Sequence, residues 1–260
     1  MRRPKFASLI SVILTAVTWL PVPLSAQAPN SDKLESMEAT GTVGHYRIGL
    51  NYTVCEHTEL VEAHYFYVSQ SKNIPLTGAV SGESVHFRGA DGSDFTLHFI
   101  GNGSNGKEPL TFYNSVGLRG TWTLGNRDLP AELHFSHGTA NPGQRLYPQV
   151  TDKSDAAFES MVNAAKDAIL SGDPVATARY VHFPLLVNTS HHNLVLHSAS
   201  ALETNWPAIF TPTFVAKLRL DSTHEMFVHN GEAMLGDGEL WFDDRGLVAV
   251  NPVVHHDPAK

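Results

Sequence analysis

The chain has 260 residues, 42% hydrophobic and 17% charged, a balance that excludes a disordered, low-hydrophobicity protein and leaves room for two hydrophobic cores. With 26 acidic against 18 basic residues, its net charge of −8 disfavours nucleic acid and anionic lipid as partners, since both reward basic patches. A single cysteine, Cys55, excludes an intramolecular disulfide.

Residues 1–26 have the pattern of a secretory signal. Arg2, Arg3 and Lys5 give a positive start, Phe6 to Leu20 is apolar but for Ser and Thr, and Pro21, Pro23 and Ser25-Ala26 supply a small-residue exit. Cleavage is expected after Ala26, which leaves 15 basic against 26 acidic residues and a net charge of −11. The apolar run is shorter than the ~20 residues that a spanning helix needs, so no integral membrane span is expected once the signal is removed. Export to the periplasm or to the extracellular space follows, and the residues do not choose between them. Cys55 does not directly follow the signal, and its setting in Tyr52-Thr53-Val54-Cys55 is that of a buried, inert thiol.

From about residue 40 to 137 the apolar residues alternate. Tyr46, Ile48, Leu50 and Tyr52 fall at every second position, with Arg47, Gly49 and Asn51 between them, the period of a half-buried strand. Similar runs are Val61-Ala63-Tyr65-Tyr67, Ile74-Leu76, Val85-Phe87, Phe95-Leu97-Phe99, Leu110-Phe112, Leu118-Trp122-Leu124 and Leu133-Phe135. Turn signals such as Ser81-Gly82, Ala90-Asp91-Gly92 and Gly125-Asn126 separate them. About eight short strands at this spacing predict an all-β antiparallel sandwich or small barrel. His86, His98 and His134 each precede an inward phenylalanine and so should share the outer face, where neighbouring strands would let them bind a metal or titrate together. The alternative is that each is a tolerated, half-polar strand residue.

Residues 138–151 are rich in Gly and Pro, keep neither period, and are expected to be a linker. Over 152–253 a helical period takes over. Ala157, Phe158, Met161, Val162, Ala165, Ala168 and Ile169 trace one helix face, with Ser154 as N-cap and Gly172 as terminator. Asp173-Pro174 starts a second short helix. β-like segments follow at Pro184–Asn188 and Leu194–His197, and Ser200 can cap a third helix that Pro207 should kink or end. Phe214 to Leu220 suits either a helix or a strand. Four apolar runs close the pattern, at Met226–Val228, Ala233–Leu235, Glu239–Phe242 and Leu247–Val250, with turns at Asn230-Gly231 and Asp244-Arg245-Gly246 and a bulge or sharp bend at Gly236 and Gly238.

Helix, helix, two strands, helix and then three or four strands is the order of an α+β sheet wrapped around a long helix. Through His182-Phe183-Pro184-Leu185, Ile209-Phe210-Thr211-Pro212, the run from Met234 to Phe242 and Val248-Ala249-Val250-Asn251, the segment Ser154 to Pro252 resembles the NTF2-like (cystatin-like) domain of exported bacterial proteins. In the first half, His64-Tyr65-Phe66-Tyr67 and Ile74-Pro75-Leu76-Thr77-Gly78 resemble a small β-module found in such proteins. The resemblance implies a conical pocket between helices and sheet, which relatives use for isomerisation, dehydration, ligand storage or subunit contact.

An acid–base enzyme of that kind needs ionisable groups aimed into the cone. Tyr180, His182, Asp237 and Glu239 are the candidates, although Asp237 can serve a turn, Glu239 can face solvent and His182 can be a core imidazole. Trp206, Phe210 and Trp241 complete the candidate pocket lining, or else fill the cone. His191-His192, His197, His224, His229 and His255-His256 match no structural zinc spacing, so neither a metal nor another cofactor is expected. No nucleophile elbow occurs, and the glycines of Gly101–Gly106 lack the helix and Lys-Ser/Thr of a phosphate loop. The expectation is an exported, non-catalytic binding or interaction protein for an apolar small molecule or a protein, with dimerisation through an uncovered sheet face. The alternative is a lyase or isomerase acting by general acid–base catalysis in the cone.

Overall fold

The computed structural model describes residues 33–56, 59–104, 106–189 and 193–252. The expected signal, His191-His192 and His255-His256 lie outside them. Among the described residues no helix is long and apolar enough to cross a membrane.

Eight strands form a closed antiparallel barrel in simple sequence order: β1 (Leu34–Val43), β2 (Tyr46–Cys55), β3 (Glu59–Tyr67), β4 (Ile74–Ser81), β5 (Ser84–Gly89), β6 (Asp94–Ile100), β7 (Gly117–Leu124) and β8 (Arg127–Gly138). Of the two expected all-β architectures the barrel is the one observed. Alternation explains why: Ile48, Leu50, Tyr52 and Val54 of β2, Val85 and Phe87 of β5, and Phe95, Leu97 and Phe99 of β6 all enter one buried cluster. Closure comes from β1, which pairs with β2 on one side and β8 on the other. The expected strand at Leu110-Phe112 is instead a turn, in which Asn114 Oδ1 accepts from the Thr111 amide at 2.7 Å. Its alternation arises because Phe112 plugs the barrel, 4.5 Å from the Tyr52 ring and 4.9 Å from that of Phe99. Of the outer histidines, His86 and His98 lie on adjacent strands, but β7 separates them from His134. Cys55 ends β2 as a half-buried free thiol.

The second half is a six-stranded mixed sheet with four helices. Helix α1 (Asp155–Ser171) is capped by Ser154, which accepts from the Ala157 amide, and ends at Gly172 in the left-handed region (φ 74°). Asp173 caps α2 (Pro174–Ala178) by accepting from the Val175 and Ala176 amides. Strands β9 (Val181–Asn188) and β10 (Asn193–Leu196) precede α3 (Ala199–Ile209), which is capped by Ser198 rather than Ser200 and runs two residues beyond Pro207. Phe214 to Leu218 is helical, within α4 (Pro212–Leu218), because Thr211 accepts from the Phe214 amide and Pro212 suits the first turn. Strands β11 (Phe227–His229), β12 (Glu232–Leu235), β13 (Leu240–Asp243) and β14 (Gly246–Val250) complete the order β10-β9-β14-β13-β12-β11, with β9 and β14 parallel. Gly236 and Gly238 lie in the turn between β12 and β13, and the bulge is at Trp241/Phe242.

Phe158, Val162, Ala165 and Ile169 of α1 pack with Leu185, Val187, Leu235, Leu240, Phe242 and Val250 in a second buried cluster, separate from the barrel's. Residues 139–151 form no helix or strand, yet Tyr147 and Val150 belong to that second cluster.

Candidate functional site

Of the residues singled out in the sequence, Asp237 lines a pocket at the junction of barrel and mixed sheet. Trp206 and Phe210 stack at 4.3 Å, and Phe210 meets Phe214 at 5.7 Å, so this aromatic run fills space between helix and sheet. Tyr180 is half-buried, and its carbonyl accepts from the Leu247 amide at 2.8 Å. His182 pairs through Nδ1 with Asp243 Oδ2 at 2.5 Å. Trp241 donates from its indole to the Gly238 carbonyl at 3.2 Å. Asp237 is exposed and lies 3.1 Å from Lys217, whereas Glu239 is fully buried rather than solvent-facing. Glu239 holds the Lys217 ammonium and the Asp237 amide within the turn before β13, the turn to which Trp241 is tied from the strand.

Polar chemistry concentrates where the barrel meets the mixed-sheet half. Both faces of β2 are buried: its inward residues fill the barrel, while Asn51 and Thr53 lie under the second half. On β3, consecutive Tyr65 and Phe66 are both fully buried, one inside the barrel and the other outside it, against His224 at 4.8 Å. Glu225 is the hub. Its carboxylate accepts from His64 Nε2 at 2.9 Å, from Asn73 Nδ2 at 2.8 Å and from Asn51 Nδ2, all barrel residues. Its backbone takes the left-handed conformation (φ 55°), uncommon for a non-glycine residue. Burial pushes this carboxyl up, but hydrogen bonds from His64 and Asn73 and the charges of His64 and His224 outweigh it and hold the group below its ordinary value.

His224 extends the network, reaching Glu159 Oε2 with Nδ1 at 2.8 Å and Asn73 Oδ1 with Nε2 at 2.8 Å. Burial lowers its affinity for a proton, yet the hydrogen bond and charge of Glu159, with Glu225 behind them, leave it above its ordinary value. Tyr147 donates to Glu159 Oε1 at 2.8 Å and accepts from the Met226 amide at 2.8 Å. Every carboxylate of this cluster is thus engaged inside the protein.

Beside it opens a cleft of about 700 Å³, between the polar face of α1 on one wall and the β1–β2 and β3–β4 turns on the other. Because α1 commits Phe158, Val162 and Ala165 to its core, residues such as Glu159, Ser160 and Asn163 turn towards the cleft. Arg47, Lys166 and Arg219 bring three cations to this lining. Lys166 is nine-tenths buried and donates to the Asp221 carbonyl. Burial pushes its ammonium below the ordinary value, helped by the charges of Arg219 and Arg47, against Asp221 and Asp167. Asp221 lines the same cleft; its Oδ2 is buried without a hydrogen-bond partner among the described residues, and burial, then the Glu239 charge, push its carboxyl up to about 6.

These residues escaped the sequence reading, although two signals were available. Lys166 falls four residues after Val162, beside the apolar stripe of α1, and Asn51 and Arg47 occupy polar positions of a strand whose outer face proves to be covered or to edge a cleft. Among the described residues no group of three or more His, Cys, Asp or Glu side chains is placed to hold a metal ion. Comparison of the chain with protein-family models, with curated proteins and with solved structures finds no match.

Proposed function

We propose that the chain is an exported, non-catalytic binding protein, periplasmic or extracellular, whose ligand site is the cleft between barrel and α1 rather than a cone. The secretory pattern of residues 1–26 supports export. The helix pair, hairpin, helices and four final strands, with β9 parallel to β14, support an NTF2-like reading of the second half. The single observation that carries the binding reading is the cleft itself: about 700 Å³, within the range of small-molecule sites, and lined by side chains from both halves. Its wall of serine, asparagine, arginine and lysine favours a polar ligand over the apolar one that the sequence suggests. Native mass spectrometry of the purified mature chain should detect a co-purifying small molecule, and N163W, which fills the cleft, should abolish it. An empty protein, or retention of the ligand by N163W, would refute this site.

A second reading, general acid–base catalysis, draws on Asp221 and Lys166, which line one cleft with carboxyl and ammonium displaced towards each other. It requires that D221N bind the ligand normally while losing turnover.

A further inference from the structure

Resting on that binding reading, we infer that the cleft takes an acidic sugar: a uronic acid or a short oligosaccharide carrying uronates, with its carboxylate held by Arg47 and Arg219 and its hydroxyls by the polar wall of α1.

Charge is the first ground. Arg88, Arg119, Arg145 and Arg245 are each held by a carboxylate, at Asp94, Glu132, Asp155 and Asp243 respectively. Arg47, Arg127, Arg179 and Arg219 have no ion pair among the described residues, although the chain carries an excess of acid, and of these four Arg47 and Arg219 line the same cleft. Of the carboxylates nearby, Glu159 is taken by Tyr147, His224 and the Glu225 amide, while Asp221 feels the charge of Arg47 but makes no ion pair with it among the described residues. The Arg47 and Arg219 guanidiniums each also repel the Lys166 ammonium in the same cleft. An anion entering the cleft relieves that repulsion, and a planar fork of N–H donors matches a carboxylate.

The neutral lining narrows the class. Ser69 and Gln70 on the barrel side and Ser160 and Asn163 on the helix side offer hydroxyl and amide groups that both donate and accept, the complement of a polyol. Tyr46, 39% exposed, lines the cleft beside the His45 ring at 3.9 Å and the Tyr67 ring at 5.9 Å. An exposed aromatic side chain beside hydrogen-bonding groups suits the C–H face of a pyranose. The volume is the third ground, since about 700 Å³ is far more than one inorganic oxyanion fills.

The test is isothermal titration of the mature protein at pH 7 with trigalacturonate, with its fully methyl-esterified form, and with inorganic phosphate. Trigalacturonate should bind, and R47Q and R219Q should each weaken it by about tenfold or more, the loss expected of a charge-assisted hydrogen bond. The methyl ester should bind at least tenfold more weakly, and Y46A should weaken trigalacturonate without creating affinity for phosphate. Equal binding of the ester removes the carboxylate from the argument. Phosphate that binds as tightly as trigalacturonate reduces the site to an oxyanion site. Unchanged affinity in both arginine variants excludes the cleft. If trigalacturonate fails while N163W still displaces another co-purifying ligand, the acidic-sugar inference falls and the binding reading stands; if neither occupies the cleft, both fall.

Discussion

His64 Nε2 lies 2.9 Å from Glu225 Oε2, a contact that joins the third strand of the barrel to the loop ahead of β11. The carboxylate is 6% exposed and serves three barrel donors together, so one buried charge fastens the two halves of the chain. E225A would leave His64, Asn51 and Asn73 facing a void. It should cost about 3–5 kcal/mol, the price of breaking a buried, charged network. Urea denaturation measures this, and protease cleavage within 139–151 should accelerate in parallel; a change below 1 kcal/mol would show that the network is not a fastening.

Stability should peak in mildly acidic solution. Glu225 is held below its ordinary 4.5, so its contribution is fully present above 4.5 and lost as pH falls through the lowered value. His224 is held above its ordinary 6.5, so its contribution is fully present below 6.5 and lost as pH rises through the raised value. The junction is therefore strongest between pH 4.5 and 6.5. Thermal melts across pH 4 to 9 should show the highest Tm in that window, with H224Q flattening the alkaline limb. A Tm that climbs steadily to pH 8 would contradict the assignment.

Asp221 acts in the same direction for a different reason. Its folded carboxyl titrates at about 6 against an ordinary 3.8, so the folded state favours the protonated form and loses stability as pH rises through 6. That displacement corresponds to about 3 kcal/mol at neutral pH, an upper bound for what removing the charge can return. D221N should therefore raise Tm at pH 8 and leave it little changed at pH 4. Destabilisation at pH 8 would mean that the carboxylate has a partner there.

Phe66 offers a test of packing alone. It is fully buried yet lies outside the barrel cluster, against His224 and over Gly49. F66A should cost about 3–5 kcal/mol through the cavity it leaves. Because the barrel interior is untouched, near-ultraviolet signals from Trp122 and Tyr65 should persist. Their loss would place Phe66 in the barrel's own core.

The turn at Gly236 is constrained for another reason. Its φ of 70° is left-handed, and a Cβ there would run into the carboxylates of Glu239 and Asp221. G236A should destabilise the fold by about 1–3 kcal/mol in denaturant melts, whereas G82A, also left-handed but in open space, should cost about 1 kcal/mol.

Alternation made most of the barrel legible, because β2, β3 and β5 to β8 present one apolar face inward. Strand β1 was hidden by Ser36 and Glu38, polar residues buried on its outer face, where Ser36 meets Asn141 of the segment after the barrel and Glu38 meets His137 of the neighbouring β8. Capping chemistry located α1 and α2 at Ser154 and Asp173. The site was not legible for a physical reason. Arg47, Glu159, Lys166, Arg219 and Asp221 come from separate turns and helix faces, and each is unremarkable in its own segment. Only tertiary packing brings their charges together, whereas His182, Asp237 and Trp241 stand out in their own segments and meet Asp243, Lys217 and the Gly238 carbonyl instead.

Of the barrel's strands β1 leaves the ribosome first, but the neighbour that completes it, β8, ends at Gly138. Until then the nascent sheet has two raw margins whose amide and carbonyl groups invite pairing with other chains. The cylinder is thus an all-or-nothing object during synthesis, and a chain interrupted anywhere before Arg127 should be recovered as aggregate rather than as a smaller folded piece.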